Sequence, residues 1–117
     1  MANLNSAPVK LDLFIPRGTT KSYEVQLYRD GAIVDITDWT ITFIMKEKMS
    51  DPDSSAIINE EASLSDATSG KALIRLEVED TDIAPKNYYY AIKFEDDLTP
   101  ANVGLIIFGR LTIEKTV

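Results

Sequence analysis

Apolar residues recur at every second position in several stretches of this chain, and turn residues separate the stretches. The clearest stretches are 11–15, 23–27, 39–45, 72–78, 88–94 and 103–115. Side chains two residues apart point to the same face of a strand, so a period of two indicates half-buried β-strands. The pattern predicts seven or eight strands without a long helix, which is typical of an immunoglobulin-like antiparallel β-sandwich.

Turn signals refine this prediction. Asp30-Gly31 indicates a tight hairpin, because both positions readily adopt positive φ. Residues 57–64 fit either a helical turn or a twisted edge strand, and we interpret them as a weak strand. Residues 1–9 are mostly small and polar, which predicts a flexible N-terminal arm. A chain of 117 residues has the usual size of one domain, so residues 10–117 should form a single sandwich.

Two residue types that carry much of enzyme and metal chemistry are absent, since the chain has no Cys and no His. Disulfides, thiolate nucleophiles, imidazole bases and imidazole zinc ligands are therefore excluded. A carboxylate pair acting on a glycoside, or a metal held by oxygen ligands, is the chemistry that remains. Every acidic residue falls in a turn or at a polar strand position, so we expect no enzymatic activity and no cofactor.

The negative charge is concentrated in the middle of the chain. The formal net charge is −7, and residues 47–97 contain thirteen acidic and five basic residues, whereas residues 1–46 are neutral overall. A solubilising surface is the simplest interpretation, and a docking face for a basic partner is the alternative. The acidic charge itself argues against nucleic-acid binding, which needs clustered Lys and Arg. We also expect no secretory signal in residues 1–9 and no membrane span, because no run of about 18 apolar residues is present.

Three loops carry pairs of aspartates that could supply oxygen ligands to a cation. The pairs are Asp51 and Asp53, Asp80 and Asp82, and Asp96 and Asp97. Calcium takes about six to eight oxygen ligands, often from several converging carboxylates. None of the pairs falls in a recognised calcium-loop motif, and simple solvated loops are the alternative. A melting temperature that is unchanged between calcium and EDTA would exclude a calcium site.

Two aromatic residues are predicted to be structural. Residues 80–84 precede Tyr88 in a pattern typical of the crossing between the two sheets of an immunoglobulin-like domain. In such a corner the tyrosine hydroxyl bonds back to the backbone a few residues upstream, and we expect this of Tyr88. Trp39 opens a strong strand, and we expect it to pack centrally in the core.

A set of apolar residues falls on the outward phase of the predicted strands, where polar residues are usual. The candidates for an interface are Phe14, Ile44, Leu73, Tyr89, Ile106 and Phe108. Several such residues on adjacent strands would form an apolar patch, which indicates a protein–protein interface. For Ile106 and Phe108 the alternative is a fully buried strand over 103–108, or a bulge at Gly104 or Gly109 that shifts the phase.

Several segments together resemble a known family. They are Arg17-Gly18-Thr19, Asp30-Gly31, residues 34–39, Tyr88-Tyr89-Tyr90 and residues 109–113. This set is similar to the N-terminal immunoglobulin-like domain of the phage baseplate upper protein family, over about residues 10–115. The family often shows a hydrophobic–Asp–hydrophobic–Thr–Gly–aromatic run, which residues 34–39 match with Asp38 in place of Gly. Pro85-Lys86-Asn87 replaces the Pro-Gly pair that tends to precede the tyrosine.

The resemblance implies a structural role in a virion. It implies a domain that docks onto the baseplate or tail hub of a phage while the virion is assembled in the host cytoplasm. Other tail or baseplate proteins would be its partners, and the symmetry of tail hubs is compatible with a homo-oligomer.

We therefore hypothesise a non-catalytic assembly module that acts by protein–protein packing. The alternative is a receptor-binding or saccharide-binding sandwich module, because Trp, Tyr and acidic side chains can form such sites. Against this alternative, Trp39 falls on a core phase and most tyrosines are predicted to be structural. Binding to a cell-wall polysaccharide would favour the alternative, and association with tail-hub proteins would favour the assembly module.

Overall fold

A computed structural model describes residues 2–3 and 8–115 of the chain, and within them the secondary structure is almost entirely strand. In chain order the strands are β1 (Ala2–Asn3), β2 (Val9–Lys10), β3 (Leu13–Pro16), β4 (Lys21–Arg29), β5 (Ala32–Ile33), β6 (Thr40–Lys46), β7 (Ile58–Glu61), β8 (Ser63–Asp66), β9 (Lys71–Leu76), β10 (Asn87–Glu95) and β11 (Val103–Glu114). One short helix, α1 (Val78–Thr81), and two single 3₁₀ turns, Asp53–Ser55 and Ala67–Ser69, complete the elements. No helix in the described part of the chain is long and apolar enough to cross a membrane.

The strands form two sheets. The five-stranded sheet has the order β1-β4-β9-β8 with β5 also paired to β4, and the six-stranded sheet has the order β2-β11-β10-β6-β7 with β3 also paired to β11. Neighbours are antiparallel except β1 on β4, and β2 and β3 on β11, which are parallel. The predicted immunoglobulin-like β-sandwich is confirmed, with short parallel pairings added to an antiparallel framework.

The N-terminal segment was predicted to be a flexible arm over residues 1–9. Ala2–Asn3 pair with Leu27 and Tyr28 of β4, and Val9–Lys10 pair with β11. Residues 1 and 4–7 of the arm lie outside the described residues. The flexibility of the arm therefore stays a prediction.

Alternating burial along each strand builds one core between the sheets. In β9, Ala72, Ile74 and Leu76 are completely buried, whereas the side chains between them are not. Phe43 and Tyr90 stack in the core with ring centroids 5.5 Å apart. Burial raises the pKa of the Tyr90 phenol, whose hydroxyl donates to the Leu11 carbonyl. Buried and accessible side chains thus alternate along the strand with the period of two that the sequence predicts.

The predicted hairpin and the predicted weak strand are both present in the fold. Asp30 and Gly31 have φ of 53° and 80°, and Arg29 pairs with Ala32 across them, so the predicted hairpin is confirmed. Residues 57–64, interpreted as a weak strand, contain β7 and the start of β8. These two short strands belong to different sheets, with Ala62 buried between them.

Several hydrogen bonds fasten the corner before β10, both within the corner and to the segment that follows β3. The Tyr88 hydroxyl donates to the Ala84 carbonyl at 2.7 Å, which is the backward bond expected from the sequence. The buried hydroxyl of Thr81 donates to the Thr19 carbonyl at 2.6 Å, and Arg17 pairs with Asp82 at 3.0 Å. The contacts of Thr81 and Arg17 join residues 62 and 65 positions apart, so they fasten the corner to the turn that follows β3.

A bulge in β11 overturns one interface prediction. Ile92 of β10 pairs with Ile107, but the next residue, Lys93, pairs with Leu105, so Ile106 is the extra residue of the bulge. Its side chain turns inward and is only 3% exposed. The prediction that Ile106 belongs to an interface is wrong, because the bulge shifts the outward phase at Ile106 itself.

Candidate functional site

The outward side chains of three neighbouring strands form an apolar row on the six-stranded sheet. Ala91 of β10 faces Ile44 of β6 on one side and Phe108 of β11 on the other. Side chains directly opposite each other on adjacent antiparallel strands have Cβ atoms about 4.5–5.5 Å apart. The three residues are therefore in lateral contact distance across the middle of the sheet.

The small side chain of Ala91 leaves a hollow in this row, which we call the apolar depression. Its volume is about 370 Å³, and its apolar lining comprises Ile44, Met49, Tyr89, Ala91, Leu105 and Phe108. Covering such a lining with another apolar group removes both surfaces from water, which is the main favourable term in protein association. The depression can therefore bind an apolar group.

One wall of the apolar depression is supplied by the loop over residues 47–57. Asp53 in this loop accepts from Lys46 Nζ at 2.6 Å and from Lys93 Nζ at 2.7 Å. Hydrogen bonds from Lys46 and Lys93 hold the pKa of the Asp53 carboxyl below its usual range. Lys46 also donates to the Asp51 carbonyl at 2.8 Å, so the loop is fastened to β6 and β10.

The surroundings of the apolar depression are basic, although the chain is acidic. Lys46 and Arg110 flank Tyr89 in the row beside the apolar row, and Lys10 of β2 pairs with Phe108. Lys93 lies in the row on the other side. Glu95 and Glu114 lie toward opposite ends of β10 and β11, away from the depression. Lys46, Lys93 and Asp53 line the depression, and Lys10 and Arg110 lie just outside it. Two further carboxylates lie on this face: Asp12 accepts from the Arg110 amide, and Glu61 lies in the row of Lys93 beyond Thr42. Four cations thus lie around the depression, where Asp53 is the one carboxylate in the lining.

The structure brings together three of the residues predicted to form an interface. Ile44, Tyr89 and Phe108 all line the apolar depression. Ile44 is only 6% exposed, so it forms the floor of the depression. The strand phase had suggested a freely accessible contact residue at this position. Tyr89 and Phe108 are half-buried and remain accessible from the outer side of the sheet.

Two further interface candidates lie elsewhere on the surface. Phe14 of β3 is 60% exposed on the same sheet face, but it pairs with Thr112 of β11 and does not line the depression. Leu73 is half-buried on β9 of the other sheet, opposite Glu24. The six candidates therefore divide among the depression, two separate surface positions and, for Ile106, the core.

Sequence reasoning missed the residues that give the depression its shape and charge. Ala91 was overlooked because it is small, although its size creates the hollow. Lys46, Lys93 and Arg110 are spread over three strands, and their convergence depends on the strand order β11-β10-β6. Alternation along the sequence shows which face a residue occupies, and it does not show which strands are neighbours.

Trp39 is placed differently from the expectation. It lies just before β6, is half-buried, and stacks on Phe94 with ring centroids 5.5 Å apart. Both rings pack against the core from its margin, so Trp39 is a peripheral core residue and not a central one. It does not line the apolar depression.

The aspartate pairs in the loops are engaged in local structure. Burial opposes ionisation of Asp96, but hydrogen bonds from Asn102 and the Leu98 amide outweigh it and lower the pKa of this carboxyl. Asp80 accepts from the Glu77 amide at 2.9 Å as part of the capping box of α1. Among the described residues, no group of three or more acidic side chains is arranged to hold a metal ion.

The fold and this surface together define an immunoglobulin-like β-sandwich with an apolar depression on one sheet. No protein-family model matches the chain, and no curated protein matches it. Among solved structures, the N-terminal domain of phage TP901-1 ORF48 is similar with a TM-score of 0.59 and 9% identity, covering 97% of this chain and 94% of that chain. At this identity the match shows a shared fold with a domain of a phage protein.

Two weaker similarities involve proteins of other kinds. The fibronectin(III)-like modules of Clostridium thermocellum CbhA give a TM-score of 0.47 at 8% identity, with complete coverage of both chains. A nucleoside hydrolase-related hypothetical protein from Saccharophagus degradans gives a TM-score of 0.34 at 16% identity, and the match covers 96% of this chain and 23% of that protein.

Proposed function

We propose that this protein is a non-catalytic assembly module of a phage tail or baseplate. The observation that carries the proposal is the apolar depression on the outer face of the six-stranded sheet, which the loop over residues 47–57 borders on one side and leaves open at Tyr89 and Phe108. The shared fold with a domain of phage TP901-1 ORF48 supports a place in a virion. The residue pattern that resembles the baseplate upper protein family supports a tail or baseplate location.

The depression has the anatomy of a protein-docking surface. Interfaces commonly have an apolar centre, often aromatic, with a polar rim that is accessible to water. Here Tyr89 and Phe108 provide aromatic contact area, while Lys46 and Lys93 form the polar rim. A partner side chain placed over Ala91 would contact both strands that flank β10.

A saccharide-binding module is less consistent with this geometry. Saccharide sites use broad, exposed aromatic faces, whereas the one tryptophan stacks on Phe94 at the margin of the core. The ring of Tyr89 is half-buried in the depression. Binding of the chain to a purified cell-wall polysaccharide would contradict this assessment and favour the saccharide-binding module over the assembly module.

Mass spectrometry of purified particles tests the proposed location. The expected result is that peptides of this chain are recovered from particles of the phage that encodes it, and that they remain with the tails after capsids and tails are separated. Recovery from the infected-cell lysate together with absence from purified particles would contradict a structural role. Recovery with capsids alone would contradict the tail or baseplate assignment.

A further inference from the structure

We infer that the apolar depression receives a bulky apolar side chain that the partner protein presents on an acidic segment. This inference rests on the proposed docking function and adds the chemistry of the partner. It follows from the charge of the four cations around the depression, from the sharing of one carboxylate between two of them, and from the size of the hollow.

The charge around the depression is opposite to that of the whole chain. The chain carries a formal net charge of −7, yet Lys10, Lys46, Lys93 and Arg110 converge on this one face. Complementary potentials across an interface promote encounter and disfavour wrong partners. A basic partner segment would be repelled here, and an acidic segment would be attracted.

Among the described residues, two of the four cations form no ion pair with a carboxylate. Lys46 and Lys93 share the single carboxylate of Asp53, one on each oxygen. Arg110 and Lys10 are exposed, so a partner carboxylate can reach them without displacing Asp53. Exposed pairs are individually weak, but several of them around a covered apolar contact lie in a less hydrated setting.

The shape of the depression favours one or two side chains on an extended segment. A volume of about 370 Å³ is near the lower end of the range for ligand pockets, about 300–1,000 Å³. On the other side of Asp53, a second hollow of about 260 Å³ has a mixed lining that includes Thr42, Phe94 and Glu95. Because Glu95 would repel a carboxylate, the acidic part of the segment should lie over the apolar depression and not over this second hollow.

The same charges disfavour a symmetric pair of copies of this chain through this face. A twofold contact places each surface patch against itself, so the four cations of one copy would face those of the other. Nucleic acid is also anionic, but a chain with thirteen acidic residues between 47 and 97 repels a long polyanion beyond the contact itself. An acidic protein segment with an apolar side chain fits both the lining and the rim.

Titration of the isotopically labelled chain, followed by NMR, tests this inference. The probe is a short synthetic peptide of Asp and Glu with Leu and Phe at its centre. We expect amide shifts at Ile44, Ala91 and Phe108 that weaken with added salt. A peptide with Lys in place of the acids, and an acidic peptide with Ala in place of Leu and Phe, should bind much more weakly.

A surface variant tests the contribution of the two exposed cations. Lys10→Glu combined with Arg110→Glu changes only exposed side chains, so the fold should be retained, while affinity for the acidic peptide should fall about tenfold. The inference would be overturned if the variant bound the acidic peptide as well as the original chain does, or if the basic peptide bound equally well. It would also be overturned if an oligothymidylate bound more tightly than the acidic peptide, or if millimolar peptide gave no localised shift. Recovery of the chain from purified tails is independent of these results, so the proposed function can stand if the inference fails.

Discussion

At the scale of single residues, Asp38 shows how the chain tolerates a departure from a common pattern. It occupies the position where Gly is usual in the family that the sequence resembles, and its φ is 66°. The turn is closed by a hydrogen bond from the Trp39 amide to the Ile36 carbonyl at 2.9 Å, and Asp35 accepts from both the amide and the hydroxyl of Thr37. Asp enters the left-handed region at a lower cost than most residues, which explains how it can replace Gly here.

Substitution at this position gives a rank order of stability. Asp38→Gly should leave the free energy of unfolding unchanged or raise it by up to about 1 kcal/mol, because strain is relieved but the unfolded chain gains freedom. Asp38→Ala should lower it by about 1 kcal/mol, since Ala lacks the preference of Asp for this conformation. Urea unfolding measures both, with the exposed Asp97→Ala as control. Equal stability of the Ala and Gly variants would contradict this account.

Residue-scale features were the part of the structure that the sequence predicted best. The Asp30-Gly31 hairpin depends on two adjacent residues, and the backward bond of Tyr88 depends on a partner only four residues away. Local chemistry determines such features almost completely. The depth of Trp39 was predicted less well, because it depends on Phe94, which is distant in sequence.

At the scale of elements, β11 shows where alternation fails as a guide. The bulge at Ile106 places both Ile106 and Ile107 on the inner side, so the outward phase before the bulge differs from the phase after it. A bulge adds one residue to one strand, and its position depends on pairing with β10. The sequence therefore raised the option of a bulge without locating it.

Gly109 on the same strand is required by a close crossing of the chain. A Cβ at this position would collide with the Leu11 carbonyl, which also accepts the Tyr90 hydroxyl. Gly109→Ala should lower the free energy of unfolding by about 1–3 kcal/mol, because a backbone group must move. Gly104→Ala should cost less, since the atoms nearest its Cβ belong to the side chain of Phe94, which can shift more readily than a backbone group. Chemical unfolding compares the two, and a larger loss for Gly104→Ala would contradict this assignment.

At the scale of the whole molecule, the two sheets present different outer faces. The six-stranded sheet carries the apolar depression and its four surrounding cations, whereas Leu73 on the other sheet lies opposite Glu24. The sequence predicted the sandwich, and five of its six interface candidates, all except Ile106, lie on the outer faces of the sheets. It could not predict the depression, because Ile44, Ala91 and Phe108 become neighbours only through the order of the strands.

The central claim is that the outer face of the six-stranded sheet attaches this protein to its partner. The most direct measurement is the amount of the chain in purified particles when the encoding phage carries Phe108→Glu or, as a matched control on the other sheet, Leu73→Glu. Both side chains are half-buried and point outward, so each variant is first shown to be folded by its thermal unfolding curve. We predict that Phe108→Glu is lost from particles while Leu73→Glu is retained. Normal incorporation of folded Phe108→Glu, or loss of Leu73→Glu alone, would contradict the claim.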